Sequence, residues 1–160
     1  MRFAFWGAEE LGLVGSTSYV QSLSATRRSR IRGVLNLDMV GSQNFARLVY
    51  SGDGQPTGSV RIENAFRSYF TARGLLVEEA SLGGGSDHAA FARAGIPVGG
   101  LFTGADELKS AELARRFGGE AGRSFDSCYH KACDTVANVD LAVLEQMADA
   151  TAVVAVRLAG

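Results

Sequence analysis

The chain has 160 residues, is 46% hydrophobic and carries a formal net charge of −1, which fits one soluble domain with a core of its own. Its 16 Lys and Arg are balanced by 17 Asp and Glu, so there is no basic footprint for nucleic acid. No apolar run reaches the roughly 20 residues that span a membrane, and the opening Met1-Arg2-Phe3 carries no signal-peptide pattern.

In chain order, Phe3-Ala4-Phe5-Trp6-Gly7 is an apolar run that stops at glycine and is followed by Glu9 and Glu10. The pattern predicts a buried strand delivering two carboxylates to the carboxyl edge of an α/β sheet, where such sheets place their ligands. Leu11, Val14, Tyr19 and Leu23 then keep roughly helical spacing up to a polar run, in which Arg27-Arg28-Ser29-Arg30 reads as a solvated turn. Residues 31–40 are mostly apolar and predict a second strand with Asp38 near its exit, and residues 46–50 a third, closed by the turn cluster 51–54. Residues 59–73 read as an amphipathic helix with Val60, Ala65, Phe66 and Phe70 inward, stopping at Gly74. Residues 75–77 predict a strand, 87–93 a helix, 96–102 a strand in which Gly99 and Gly100 permit close packing, and 109–117 a short helix. Residues 118–134 form a long polar loop, a type that is usually functional or disordered. Residues 141–158 close the chain as an apolar helix, with Leu144, Met147, Ala148, Thr151 and Val154 on one stripe.

Alternating strands and helices predict a three-layer αβα fold in a single domain over residues 1–160. Glu9, Glu10 and Asp38 fall at strand exits, and the long loop adds Tyr129 and His130. Carboxylate oxygens and an imidazole nitrogen suit Zn²⁺. Adjacent residues leaving a strand point to different sides, so one glutamate is a candidate metal ligand and the other a candidate base for the attacking water.

Each of these residues also has a plainer reading. Paired glutamates at a helix start suit the helix dipole, and Asp38 suits a turn cap. Ser86 or Asp87 suits the cap of the next helix, Asp87 equally suits orienting a ligand, and His88 reads as a packed or exposed helix residue. The stretch Leu82 to His88 has glycines before a helix but no P-loop Lys and no dinucleotide-type glycine spacing, so it is a weak phosphate site. Cys128 and Cys133 form either a short-loop disulfide, implying an oxidising compartment, or two free thiols. As zinc ligands they come with one His, three donors in all.

Taken together, Phe5-Trp6-Gly7-Ala8-Glu9-Glu10-Leu11-Gly12, Asn36-Leu37-Asp38-Met39-Val40-Gly41, Ser86-Asp87-His88, residues 95–104 and Cys128-Tyr129-His130-Lys131-Ala132-Cys133-Asp134 resemble the secreted di-zinc aminopeptidases of the aminopeptidase Y and aminopeptidase S type. The likeness follows the family's order from the first strand almost to the end. It implies a mixed, mostly parallel sheet with helices on both faces, and an extracellular enzyme removing N-terminal residues from peptides. By position, it implies Glu9 as general base and Tyr129 as the side chain that steadies the oxyanion. Glu10 and His130 are implied as ligands of one zinc, and Asp38 as a ligand of the other. Met39, Gly84, Gly85 and Phe102 match positions lining the pocket for an apolar N-terminal side chain, and Cys128 and Cys133 match the family's disulfide. Glu145 and Asp149 fall where some relatives bind calcium.

The family also uses a His and a metal-bridging Asp on segments that precede residues 3–7, and no residue of this chain matches them. The expectation is a domain incomplete at its N-terminus, with each zinc short of the three protein ligands of ordinary catalytic sites. Two functions follow: a zinc aminopeptidase impaired as this chain alone, or a non-catalytic remnant serving at most as a binding module. Phe3, Phe5 and Trp6 without sheet neighbours favour self-association. An enzyme that cyclises N-terminal Gln with one zinc shares the architecture, but the Glu9-Glu10 doublet and the cysteine loop resemble the hydrolase more.

Overall fold

The computed structural model describes every residue except Leu82, the first of the glycine-rich stretch, which lies outside the described residues. The apolar, β-prone runs become four short strands: β1 (Val34–Leu37), β2 (Leu48–Tyr50), β3 (Glu78–Ala80) and β4 (Val98–Phe102). They form one sheet in the order β1-β4-β2-β3, with β1 parallel to β4, β2 parallel to β3, and β2 antiparallel to β4. The helices are α1 (Val14–Ser22), α2 (Ala25–Arg28), α3 (Ser59–Thr71), α4 (His88–Arg93), α5 (Ala111–Phe117) and α6 (Leu141–Ala159), with a 3₁₀ turn at Val136–Asn138.

Side chains alternate across a strand, so neighbouring strand residues feed opposite faces. Val49 and Leu101 pack on α3 and α6 through Ile62, Phe66, Phe70, Val143, Met147 and Val154. Val98 faces the other way, onto Val20 of α1 and Ala90 and Phe91 of α4, while Leu48 and Phe102 meet Phe125 and α5. Each fully buried Phe or Met of the first cluster contributes about 1.5–3 kcal/mol. Polar caps set the helix ends: Asp140 Oδ1 accepts from the Ala142 and Val143 amides, both at 3.0 Å, and opens α6. The expected mixed, mostly parallel sheet with helices on both faces is present. Among the described residues no helix is long and apolar enough to cross a membrane.

Four local expectations need correction. Residues 3–7 are not a strand: none of the four strands pairs with them, and a strand exists only with a partner for its N–H and C=O groups. Phe3 and Phe5 are 81% and 95% exposed, whereas Trp6 is half-buried against Tyr19 and Phe91, at ring separations of 5.1 and 5.7 Å. The strand expected at 75–77 lies at Glu78–Ala80, where the backbone pairs with β2, while Leu75 and Val77 pack onto the core before the ladder begins. Arg27 and Arg28 of the basic cluster read as a turn belong to the short helix α2, whose first turn Ser24 caps through the Arg27 amide. Lys109, expected to begin a short helix, precedes α5 and is 2% exposed.

Candidate active site

Asp38 stands just past β1, held by a chain of buried polar groups. The Asn36 Nδ2 amide donates to Ser86 Oγ at 2.9 Å, and the Ser86 hydroxyl donates to Asp38 Oδ2 at 2.7 Å. Tyr50 lies beside this chain, its pKa pushed up to about 12 by burial, with Asn36 pulling down and Asp38 pushing up. The next residue, Met39, takes a left-handed φ of 51°. Its carbonyl accepts from the Thr103 amide at 2.7 Å and from the Thr103 hydroxyl, two bonds that hold the turn. Such a conformation costs a non-glycine residue about 1–3 kcal/mol and persists only when neighbours fix it. Gly100 of β4 makes the packing possible, since a Cβ there would stand 2.1 Å from the Asn36 carbonyl oxygen.

Glu9 and Glu10 lie in a tight turn leading into α1. The Glu9 carbonyl accepts from the Gly12 and Leu13 amides at 3.0 and 2.8 Å, and Ala8 has φ 56°. The chain before the turn runs against the start of α1, so that a Cβ on Gly15 would meet the Gly7 carbonyl oxygen at 2.5 Å. Trp6 anchors the same segment. The Glu9 carboxyl is half-buried, and its pKa is raised, first by burial and then by the negative charges of Glu10, Asp38 and Asp87, with His130 opposing.

The long loop supplies the third part. Cys128 and Cys133 form a disulfide. Between them Tyr129 and His130 stack with ring centroids 3.9 Å apart, His130 with φ 56°. His130 Nε2 lies 2.6 Å from Glu10 Oε1, joining residues 120 apart in sequence. The Tyr129 hydroxyl is raised by burial and then by Glu10, Asp106, Asp38 and Glu9. The phenol therefore stays protonated as a hydrogen-bond donor.

Glu9, Glu10, Asp38, Tyr129 and His130 thus share one electrostatic neighbourhood at the carboxyl ends of β1 and β4. Left-handed residues at 8, 39 and 130 flank or form the three parts. Imidazole nitrogen beside carboxylate oxygen suits zinc in kind, and Glu10 with His130 supplies two donors at one point. Among the described residues no group of three His, Cys, Asp or Glu stands close enough to hold a metal by itself.

Met39 and Phe102 are half-buried, while Gly84 and Gly85 are exposed on the loop before α4. Cavities of about 490 and 390 Å³ open around Pro97, ahead of β4, and neither is lined by a candidate site residue. Glu145 and Asp149 are exposed one turn apart on α6, where calcium would need four or more further oxygens. His88 is buried, its Nε2 2.9 Å from the Gly83 carbonyl oxygen, with its pKa lowered chiefly by burial.

In the sequence Ser86 suits a helix cap, and nothing local marks Asn36, Thr103 or Asp126 as residues that hold the site. The Asp38–Ser86 contact links residues 48 apart, and the two Thr103–Met39 bonds link residues 64 apart. No local pattern encodes such pairs.

A family model described as "Peptidase family M28" matches residues 1–155. The chain is 48% identical over 160 residues to an aminopeptidase of Pseudomonas aeruginosa, covering 96% of this chain and 30% of that protein. It is 48% identical over 153 residues to leupeptin-inactivating enzyme 1 of Streptomyces exfoliatus, covering 95% and 34%. Its fold matches a zinc aminopeptidase from Bacillus subtilis with a TM-score of 0.72 and 27% identity, over 94% of this chain and 34% of that one. The chain therefore spans about a third of the length of these proteins.

Proposed function

The chain belongs to peptidase family M28, and on that premise we propose that it carries part of the active site of a zinc-dependent aminopeptidase acting on peptides with a free, apolar N-terminal residue. The observation that carries this reading is the 2.6 Å contact between Glu10 and His130, which joins the glutamate turn to the disulfide loop beside Glu9, Tyr129 and Asp38. Glu10 and His130 would hold one zinc and Asp38 a second, the remaining ligands coming from outside these 160 residues. Zinc in such a site polarises a carbonyl and lowers the pKa of water.

The residues of this chain have separate tasks. Glu9, half-buried and not paired with a cation, accepts the proton of the attacking water and returns it to the leaving amine. Tyr129 donates its hydroxyl hydrogen to the oxygen that becomes negative in the transition state. Ser86 keeps Asp38 oriented through one oxygen, leaving the other free. Met39, Gly84, Gly85 and Phe102 form one side of the pocket for the N-terminal side chain. The disulfide and the family relationship support an extracellular location.

By itself the 160-residue polypeptide, with fewer than three ligands per ion, is expected to show little or no turnover. A chimaera tests the reading. The 160 residues replace the matching third of the Pseudomonas aeruginosa relative, and the product is assayed on a leucine anilide with its zinc content measured. Turnover that E9A abolishes while zinc is retained supports it. A folded, zinc-loaded chimaera without turnover points instead to a non-catalytic remnant.

A further inference from the structure

The segment carrying Tyr129 and His130 has a property its disulfide does not explain. From Ser127 to Ala137 no residue is buried, so the loop has no core anchor of its own. The Cys128–Cys133 bond closes a small ring with a sequence separation of 5. It stiffens that ring internally but does not fix how the ring sits on the sheet. Orientation has to come from the neck of the loop, and there one buried carboxylate stands.

Asp126 is 6% exposed. Its Oδ1 accepts the Cys128 amide at 2.8 Å and the Asn138 side-chain amide at 2.9 Å, drawing together the two ends of the segment. Its own amide donates to the Ala105 carbonyl at 2.7 Å, three residues beyond β4. On the far side, the Asp140 amide donates to Gly41 O at 2.9 Å, close behind Asp38. Among the described residues Asp126 has no cationic partner within 4.0 Å. A buried carboxylate without a cation is an expensive way to gain stability, whereas two donors converging on one oxygen fix geometry.

We propose that Asp126, clamped by Asn138, is the positioning residue that presents Tyr129 and His130 to Glu10, an inference that rests on the reading of His130 as a ligand beside Glu10. The clamp determines where the disulfide ring points, and the ring determines the relative placement of the two side chains within it.

The decisive measurement uses the metal-free protein, so that it stands whether or not zinc binds. Backbone order parameters of about 0.85 mark rigid amides and values below about 0.6 mobile ones. D126A is expected to bring residues 128–133 below about 0.6 while α3 and α6 keep their values, and D126N, which retains the accepting oxygen, is expected to restore order. Unchanged order in D126A overturns the proposal, and so does an equal loss across α3 and α6. If D126A does not fold, N138A decides: it removes one donor only, and unchanged order at 128–133 overturns the clamp.

A second arm separates this inference from the zinc reading. In a zinc titration, D126A is expected to lower affinity at least about 10-fold in the wild-type background. In an H130A background it should have less than about a 2-fold effect, because a residue acting through His130 has nothing left to position. Equal losses in both backgrounds overturn the positioning role. A wild-type protein that takes up no zinc overturns the zinc reading alone, and the relaxation result still decides the clamp.

Discussion

Lys109 offers the sharpest physical test of how the site loop is tied to the sheet. Its ammonium is buried and donates to the Phe45 carbonyl at 2.6 Å and the Gly118 carbonyl at 2.7 Å, with the Phe45 and Phe125 rings near it. Its backbone pairs with Arg123 O and with the Gly122 amide, and so joins residues 105–109 to the strip leading to Asp126. K109M keeps most of the apolar stem and removes both bonds. Bonds from a charged donor contribute about 1.5–3 kcal/mol each, and the one to Gly118, an exposed residue, is at the low end. Removing a desolvated cation with no carboxylate partner returns about 1–2 kcal/mol of that. The net loss is about 1–4 kcal/mol, or roughly 2–16 °C in Tm for a chain of this size.

The pH dependence gives the same substitution a second signature. Burial holds the Lys109 ammonium below its ordinary range. Between that lowered pKa and the unfolded value of about 10.4, the unfolded chain binds more protons, so wild-type stability rises with pH. K109M has no such group, and the gap between wild type and variant should widen from pH 7 to pH 10. Tyr50, pushed up to about 12, acts in the opposite direction above pH about 10, but it is present in both proteins and cancels in the difference. Urea denaturation of both proteins at three pH values measures the gap. A K109M as stable as wild type at pH 7, or a gap that stays constant with pH, refutes the argument.

S86A removes the hydroxyl that holds Asp38 and leaves the Asn36 amide unpaired; chemical denaturation should show a loss of about 1.5–3 kcal/mol, and no loss would mean the carboxylate is fixed by other contacts. Replacing Cys128 and Cys133 by Ser opens a ring so short that chain entropy accounts for only about 2 kcal/mol, so the double variant should still fold; global unfolding in its circular dichroism would show that the bridge supports the core as well as the loop. F3S with F5S alters two almost fully exposed rings and should leave stability within about 0.5 kcal/mol while shifting sedimentation toward monomer; unchanged association would place any self-contact elsewhere.

Much of the layered fold is legible in the sequence because it rests on local periodicity. The short apolar runs of β2 and β4, buried almost throughout, and the 3.6-residue stripes of α3 and α6 are present in any short window. The misreadings occur where a residue's state depends on a distant partner. Residues 3–7 read as a strand because an apolar run is the signature of one with sheet on both sides; the missing family segments already leave Phe3 and Phe5 without such neighbours, and they are exposed. The strand read at 75–77 lies three residues later, because the backbone that pairs with β2 is that of Glu78–Ala80, and only the distant partner fixes the register. Lys109 reads as the start of a helix, and nothing local shows its burial because the carbonyls it bonds come from residues 45 and 118. The site residues divide the same way. Glu9, Glu10, Asp38, Tyr129 and His130 stand out by type and spacing, since their chemistry lies in their own side chains. The residues that aim them, Ser86, Thr103 and Asp126, carry side chains common in every turn, and their role exists only in the contact. A sequence therefore exposes the groups that react more readily than the groups that hold them, and the contact between Glu10 and His130 depends on both kinds.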